Sequence, residues 1–238
     1  MTASLEPILR CLALEADGDG RYRAPNADTG PGVVFGGQLL AQAIVAAAAG
    51  QPDKRVKTVH TIFARGGAMD AGVDIAVDVM HTGRAFASST VTISQGERLC
   101  TRSLVLLTAD EPDLMRHGDP MPTVAGPDDS APASHGDNGW EIRIVDGVDI
   151  SDPDAVGPAD LHVWSRFVGA PTDPTANQAL LAFATDGFLI GTAMRPHAGH
   201  GRSYGRADVF TEAGDLVASF VQDNMIRAIP EGRTASSL

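Results

Sequence analysis

The spacing of hydrophobic and polar positions changes several times along the chain, and each change marks an element. The run from Gln38 to Ala49, Gln-Leu-Leu-Ala-Gln-Ala-Ile-Val-Ala-Ala-Ala-Ala, is rich in strong helix formers, opens after Gly36-Gly37 and stops at Gly50. It predicts a helix that is apolar almost all round. Such a helix has to be wrapped by other structure on most sides, which a strongly curved sheet around a central helix supplies. Strand-like runs rich in Val, Ile and Thr follow over Lys57–Arg65, Val73–His81, Phe86–Ser94 and Leu99–Thr108, punctuated by glycine. Successive strands after one helix predict an antiparallel α+β unit.

Between Asp110 and Gly139 the chain turns to Pro, Gly, Asp and Ser, as in Pro-Asp-Asp-Ser-Ala-Pro, and large apolar residues become sparse. Beyond it, Trp140–Ile150 and Leu161–Gly169 predict strands, Thr175–Thr185 a second apolar helix, and the rest up to Ala228 further strands. The organisation expected is an N-terminal unit over residues 1–109, a linker over 110–138 and a C-terminal unit over 139–238.

The two units share a register. Gly83, Arg84, Phe86, Val91, Gly96, Glu97, Leu99 and Thr101 face Gly201, Arg202, Tyr204, Val209, Gly214, Asp215, Val217 and Ser219 at a constant shift of 118. Both stretches predict a hairpin whose turn holds a glycine followed by an acid. The helices align at a shift of 141, Leu39-Leu40-Ala41 on Leu180-Leu181-Ala182, so the second unit is 23 residues shorter between helix and hairpin. At the usual 5 to 6 residues per strand, that is a loss of about two strands with their turns.

Composition narrows the function classes. The chain has 238 residues, 43% of them hydrophobic, which is enough to bury a sizeable core. A formal charge of -12 repels nucleic-acid backbones and anionic membrane surfaces. The two cysteines, Cys11 and Cys100, have neither metal-ligand spacing nor a disulfide framework, and the first residues carry acids where an export signal needs a basic start. The longest uncharged run, Val33–Gly50, is interrupted by glycine and glutamine. A cytoplasmic protein with no membrane span is expected. Phosphate loops, dinucleotide fingerprints, nucleophile elbows and zinc-ligand clusters are all missing from the text, so no metal and no cofactor is expected.

The motif Val34-Phe35-Gly36-Gly37-Gln38, followed by Thr82-Gly83-Arg84-Ala85-Phe86, resembles the acyl-CoA thioesterase II family. The resemblance continues through Leu181-Ala182-Phe183-Ala184-Thr185-Asp186, Met194-Arg195-Pro196-His197 and Leu216-Val217-Ala218-Ser219-Phe220-Val221-Gln222, most of the chain outside linker and tail. It implies a double hotdog, two antiparallel sheets each wrapped round a central helix, here with a shortened second repeat. It also implies hydrolysis of acyl-CoA to fatty acid and CoA. The family's site comprises an aspartate after the second helix, a threonine on a strand of the second hotdog and a glutamine on its late strand. The aspartate lands on Asp186 and the glutamine on Gln222. The threonine strand falls in the missing stretch, and Thr192, which precedes Arg-Pro-His rather than following it, does not replace it.

Thioester hydrolysis needs a held water, a proton acceptor and donors for the developing oxyanion. Asp186 and Gln222 suit the first two tasks, neither acting as a covalent nucleophile. On composition alone, Asp186-Gly187 is an ordinary helix terminus with the acid in solvent and Gln222 a surface strand residue; their place in the chemistry comes from the resemblance. Gly36, Gly37 and Gln38 open a helix whose free amides suit a carbonyl or an anion, and two glycines equally allow close helix–sheet packing. Arg84 and Arg202, with Arg65, stand at turns or strand ends as candidates for the phosphates of CoA, or as solvated arginines. His60 and His197 have no nucleophile to serve.

Loss of central strands supports a second reading, a non-catalytic acyl-CoA-binding protein or inactive remnant of the family. A hydratase of related shape wants text that Thr185-Asp186-Gly187-Phe188 does not match. Unpaired strand edges also predict self-association, so a homo-oligomer is expected.

Overall fold

The structure is a computed structural model and describes residues 4–28, 32–133, 138–145, 160–189 and 196–225. Its first sheet begins before the first long helix, with elements the sequence pattern did not mark: helix α1 (Glu6–Leu12), strand β1 (Glu15–Ala16) and strand β2 (Arg21–Ala24). Helix α2 (Gly36–Ala49) follows, then β3 (Arg55–Phe63), β4 (Val73–Thr82), β5 (Phe86–Gln95) and β6 (Arg98–Thr108). These strands form one antiparallel sheet in the order β1-β2-β4-β5-β6-β3.

Alternation of side chains along a strand decides which face meets the helix. Val73 and Ile75 of β4, Ala87, Val91 and Ile93 of β5, and Val105 and Leu107 of β6 are buried together with Leu39, Ala43, Ile44 and Ala47 of α2. The alanine-rich helix is thus enclosed, as its nearly uniform apolar surface requires.

Two short sheets make the rest. Strands β7 (Ala131–Ala133), β8 (Trp140–Ile144) and β9 (Val163–Phe167) form one in chain order. Helix α3 (Pro174–Leu189) follows, and β10 (Pro196–Gly199), β11 (Arg202–Phe210) and β12 (Leu216–Met225) form the other. Strand β7 lies inside the stretch expected to be linker and pairs with β8. Helix α3 starts at Asp173-Pro174, where Asp173 Oδ2 accepts the Ala176 amide at 2.7 Å, an N-terminal cap with proline in the first turn.

The shortening is visible as a change in topology. Between α2 and the β5–β6 hairpin stand two long strands, β3 and β4. Between α3 and the β11–β12 hairpin the described residues hold the four-residue β10 alone. Strand β10 pairs with β11 as β4 does with β5, and no described strand takes the place of β3. Among the described residues, both β3 and β12 are therefore sheet edges.

The repeat register needs a correction. Val91 pairs with Ser103, whereas Val209, its partner at a shift of 118, pairs with Ala218 and not with Val221. The shift holds for the first strand of each hairpin and slips by three residues on the second. The turns are the cause: Gly96-Glu97 closes a two-residue turn, while β11 ends at Phe210 and a longer loop over 211–215 follows, closed by the Asp215 amide on Thr211. Gly96 and Gly214 both have positive φ, so matching the glycines concealed two different turns.

Candidate active site

Helices α2 and α3 meet along a stripe of small and aromatic residues. Ala179, Leu180, Phe183 and Asp186 recur on one buried face of α3. Close approach is possible because α2 opens with two glycines: a Cβ on Gly37 would collide with the Phe183 carbonyl oxygen and lie 2.5 Å from the Phe35 ring. Gly37 therefore serves helix–helix contact, while Gly36, whose Cβ would meet the Phe63 ring of β3 at 3.0 Å, also gives the close helix–sheet approach that was expected. Phe183 is fully buried and meets Phe35, Trp140 and Phe167 edge-on, with centroids 5.0, 5.8 and 6.4 Å away.

Above this aromatic group stands Asp186. Its expected place at a solvated helix terminus is not what the fold gives. Helix α3 continues to Leu189, Gly187 is helical beneath the Trp140 ring, which a Cβ would meet at 2.5 Å, and Asp186 is 6% exposed. The physical reason is tertiary: Trp140 fills the space that any other side chain at position 187 would need.

Asp186 Oδ2 accepts the Gly37 amide at 3.0 Å, and Asp186 Oδ1 accepts Nε2 of Gln222 at 3.4 Å. Helix α2 has no acid in its first turn and no capping side chain of its own. Asp186 supplies both from the other helix, satisfying an orphan donor and meeting the positive end of the α2 dipole. Burial pushes the Asp186 carboxyl above the ordinary carboxylate range, and the Gly37 amide, the Gln222 side chain and the Gly36 amide pull against that shift. A carboxyl balanced in this way is suited to proton transfer.

Gln222 reaches this point because β12 alternates: Ala218, Phe220, Gln222 and Asn224 turn inward while Val217, Val221 and Met225 face out. A Cβ on Gly36 would meet Asp186 Oδ2 at 2.7 Å and the Phe63 ring at 3.0 Å, so its absent side chain leaves the room that Asp186 and Phe63 occupy.

The remaining sequence candidates lie elsewhere. Gln38 is fully buried, but its amide is committed to the loop before α2: Oε1 accepts the Ala27 amide at 2.9 Å and Nε2 donates to Asn26 Oδ1 at 2.9 Å. Arg84 is exposed in the turn after β4, at the opposite end of α2, where Gln51 donates to Thr82 Oγ1. A helix of 14 residues spans roughly 21 Å, so Arg84 and Asp186 are not brought together. Arg202 pairs with Met225 across the hairpin and shares its outward face, opposite to that of Gln222. Thr192 lies outside the described residues, as do Met194 and Arg195. Among the described residues no group of His, Cys, Asp and Glu is placed to hold a metal ion, and no helix is long and apolar enough to cross a membrane.

Sequence reasoning did not single out Trp140 or Phe167, which pack on Phe183, nor Gln178. Gln178 of α3 donates to the Val56 carbonyl at 2.7 Å and accepts the Val56 amide at 3.3 Å, using the free side of edge strand β3. Nothing local in the text marks that role.

Comparison with known proteins gives a consistent picture. Residues 24–108 match the acyl-CoA thioesterase N-terminal domain family. Acyl-CoA thioesterase 2 of Haemophilus influenzae is 23% identical over 291 aligned positions, covering 95% of this chain and 99% of that protein. Those positions outnumber the 238 residues of the chain, so parts of the relative have no counterpart here. Among solved structures, the tesB protein of Mycobacterium avium subspecies paratuberculosis superposes with a TM-score of 0.79 at 21% identity, covering 92% of this chain and 98% of its own. Acyl-CoA thioesterase II TesB2 of Mycobacterium marinum gives 0.76 at 23% identity, covering 95% and 100%.

Proposed function

We propose that this chain, which belongs to the acyl-CoA thioesterase II family, hydrolyses acyl-CoA to a free fatty acid and CoA by carboxylate-assisted attack of water. The observation that carries the reading is the Asp186 carboxylate held between the Gly37 amide and the Gln222 side chain. In this reading the attacking water donates to Asp186 Oδ1 beside the Gln222 side chain, whose amide helps to fix its orientation. Asp186 accepts a proton as the water oxygen bonds to the thioester carbonyl carbon. The carbon–sulfur bond then breaks, and the proton returns to the departing CoA thiolate. The positive end of α2 lies beside the reacting carbonyl and favours the negative charge that develops there. The two buried cysteines and the absence of a span among described helices fit a cytoplasmic enzyme of fatty acid metabolism, and the free edges of β3 and β12 fit a homo-oligomer.

A second reading, binding of acyl-CoA without turnover, is favoured by one feature: no described strand stands where the family threonine would be carried. Release of free CoA thiol from acyl-CoA thioesters of graded chain length, with Asp186→Asn beside the natural chain, separates the two. Turnover abolished by the substitution supports hydrolysis at Asp186. Saturable acyl-CoA binding by folded protein with no thiol release supports the binding reading.

A further inference from the structure

An acyl-CoA carries its phosphates at the far end of the pantetheine arm from the thioester. A chain with a formal charge of -12 repels such an anion unless it offers a local basic patch. Several arginines are already taken up by acids: Arg23, Arg55, Arg116, Arg166 and Arg206 each form an ion pair with an aspartate or a glutamate. Arg65, Arg98 and Arg102 do not. All three are exposed, and among the described residues none of their side chains has an ion pair or a hydrogen bond.

These three arginines share the end of the first sheet at which α2 begins. Arg65 lies two residues past Phe63, about 7 Å along an extended chain, and its amide donates to the Cys100 carbonyl at 3.3 Å. Arg98 precedes that cysteine by two residues and Arg102 follows it by two, opposite Ile62 of β3. Between buried Thr101 and Ser103, Arg102 turns to the outer face of β6. Beyond β3 there is no adjoining strand among the described residues, so the sheet ends one strand away from Arg102. At that edge the Phe63 ring lies against Gly36, next to Asp186 Oδ2, so the patch and the carboxyl stand at the same end of the fold. Of the acids on these hairpins, Asp74 is held by Arg23 and the Gly96 amide, and Glu97 pairs with none of the three.

We infer that Arg65, Arg98 and Arg102 hold the phosphorylated nucleotide of the acyl-CoA, with the pantetheine arm passing over the β3 edge at Phe63 toward the Asp186 carboxyl. This rests on the acyl-CoA reading and deepens it by naming the residues that receive the anionic half of the substrate. The class of ligand follows from the guanidiniums: three of them, each presenting a fork of donors, suit clustered phosphate oxygens. The accessibility follows from their exposure, since the charged end of the ligand stays in water while the thioester end reaches the buried carboxyl.

The test combines Arg65→Gln, Arg98→Gln and Arg102→Gln in one full-length chain and compares two substrates, an acyl-CoA and the same acyl group on pantetheine, which lacks the phosphates. For the acyl-CoA, KM should rise about 8- to 30-fold, at roughly two- to threefold per exposed charge contact, with kcat unchanged. For the acyl-pantetheine neither constant should move. Added salt should raise KM for the acyl-CoA in the natural chain and much less in the triple variant. Arg84→Gln, one neutralised arginine at the other end of α2, should leave KM for both substrates where it is. Calorimetric titration with CoA needs no turnover and keeps the two readings apart. If thiol release fails but CoA binds the natural chain and binds the triple variant about 8- to 30-fold more weakly, hydrolysis is lost and the arginine site stands. The site is overturned if the triple substitution leaves acyl-CoA KM and CoA affinity unchanged, if acyl-pantetheine suffers equally, if Arg84→Gln has the same effect, or if the natural chain binds no CoA.

Discussion

Asp186 Oδ2 and the Gly37 amide stand 3.0 Å apart although 149 residues separate them in the chain. The contact joins the late part of α3 to the first turn of α2, so the carboxylate keeps this partner only when both helices are docked. Its electrostatic character is set by opposition: burial favours the neutral acid, and the Gly37 amide, the Gln222 side chain and the Gly36 amide favour the anion.

Asp186→Asn should lower thioester turnover by about 100- to 10,000-fold, the usual contribution of a general base, while the chain stays folded. In the natural chain, turnover should rise with pH through a midpoint above the ordinary carboxylate value of about 4. A pH–rate profile of kcat/KM for both chains measures this.

The same shift carries a stability consequence of definite sign. A carboxyl whose folded pKa is raised contributes stability that is fully present below the unfolded pKa and is lost as pH rises through the folded pKa. Relative to the natural chain, Asp186→Asn should therefore gain stability across that window and hold the gain at neutral pH. Urea denaturation at several pH values from the acid range to neutrality will show whether the difference grows in this direction.

Gln222→Ala removes a donor that helps to keep Asp186 ionised. Turnover should fall roughly 10- to 100-fold, the worth of a hydrogen bond to a charged group, and the acidic limb of the pH profile should move to higher pH. A variant with reduced turnover and an unmoved acidic limb would leave Gln222 with a structural role alone.

Gly37→Ala should destabilise the fold by about 1–3 kcal/mol, since its Cβ meets the backbone of α3 and not a movable side chain. Gly36→Ala meets Asp186 Oδ2 at 2.7 Å and the Phe63 ring at 3.0 Å, so its larger effect should fall on turnover. Chemical denaturation and thiol-release assays on the two variants should separate these losses.

Cys11 is fully buried and burial pushes its thiol up to about 12, and Cys100 is buried with its thiol also raised. Neither should react with a thiol reagent in the folded chain near neutral pH, and both should react once urea unfolds it. Counting reactive thiols with and without urea checks this, and a folded count of zero leaves the CoA readout free of background.

The parts of the fold visible in the sequence were those with a local cause. The alanine-rich α2 announced its enclosure, and Val, Ile and Thr runs marked β3 to β6 within about two residues. Asp186 and Gln222 came from a family resemblance, and the structure sets them side by side. What the sequence concealed depends on distant partners. Gly187 does not end α3 because Trp140 covers it; Gln38 turns toward Asn26 and Ala27; Arg202 points away from Gln222 because strand parity puts it on the outer face. The three-residue slip between hairpins was hidden because a two-residue turn and a longer loop can both hold a glycine.

Gln178 satisfies both backbone groups of Val56 on the outer edge of β3, with one side-chain amide imitating a neighbouring strand. That imitation covers a single residue at the Arg55 end. Toward the other end, Ile62 and Phe63 stand 61% and 46% exposed on an edge with no adjoining strand among the described residues. Recruitment of any foreign β-segment is thereby polarised: it is blocked where α3 touches the edge and begins where the strand runs out toward Phe63, whose ring lies against Gly36 next to the Asp186 carboxylate.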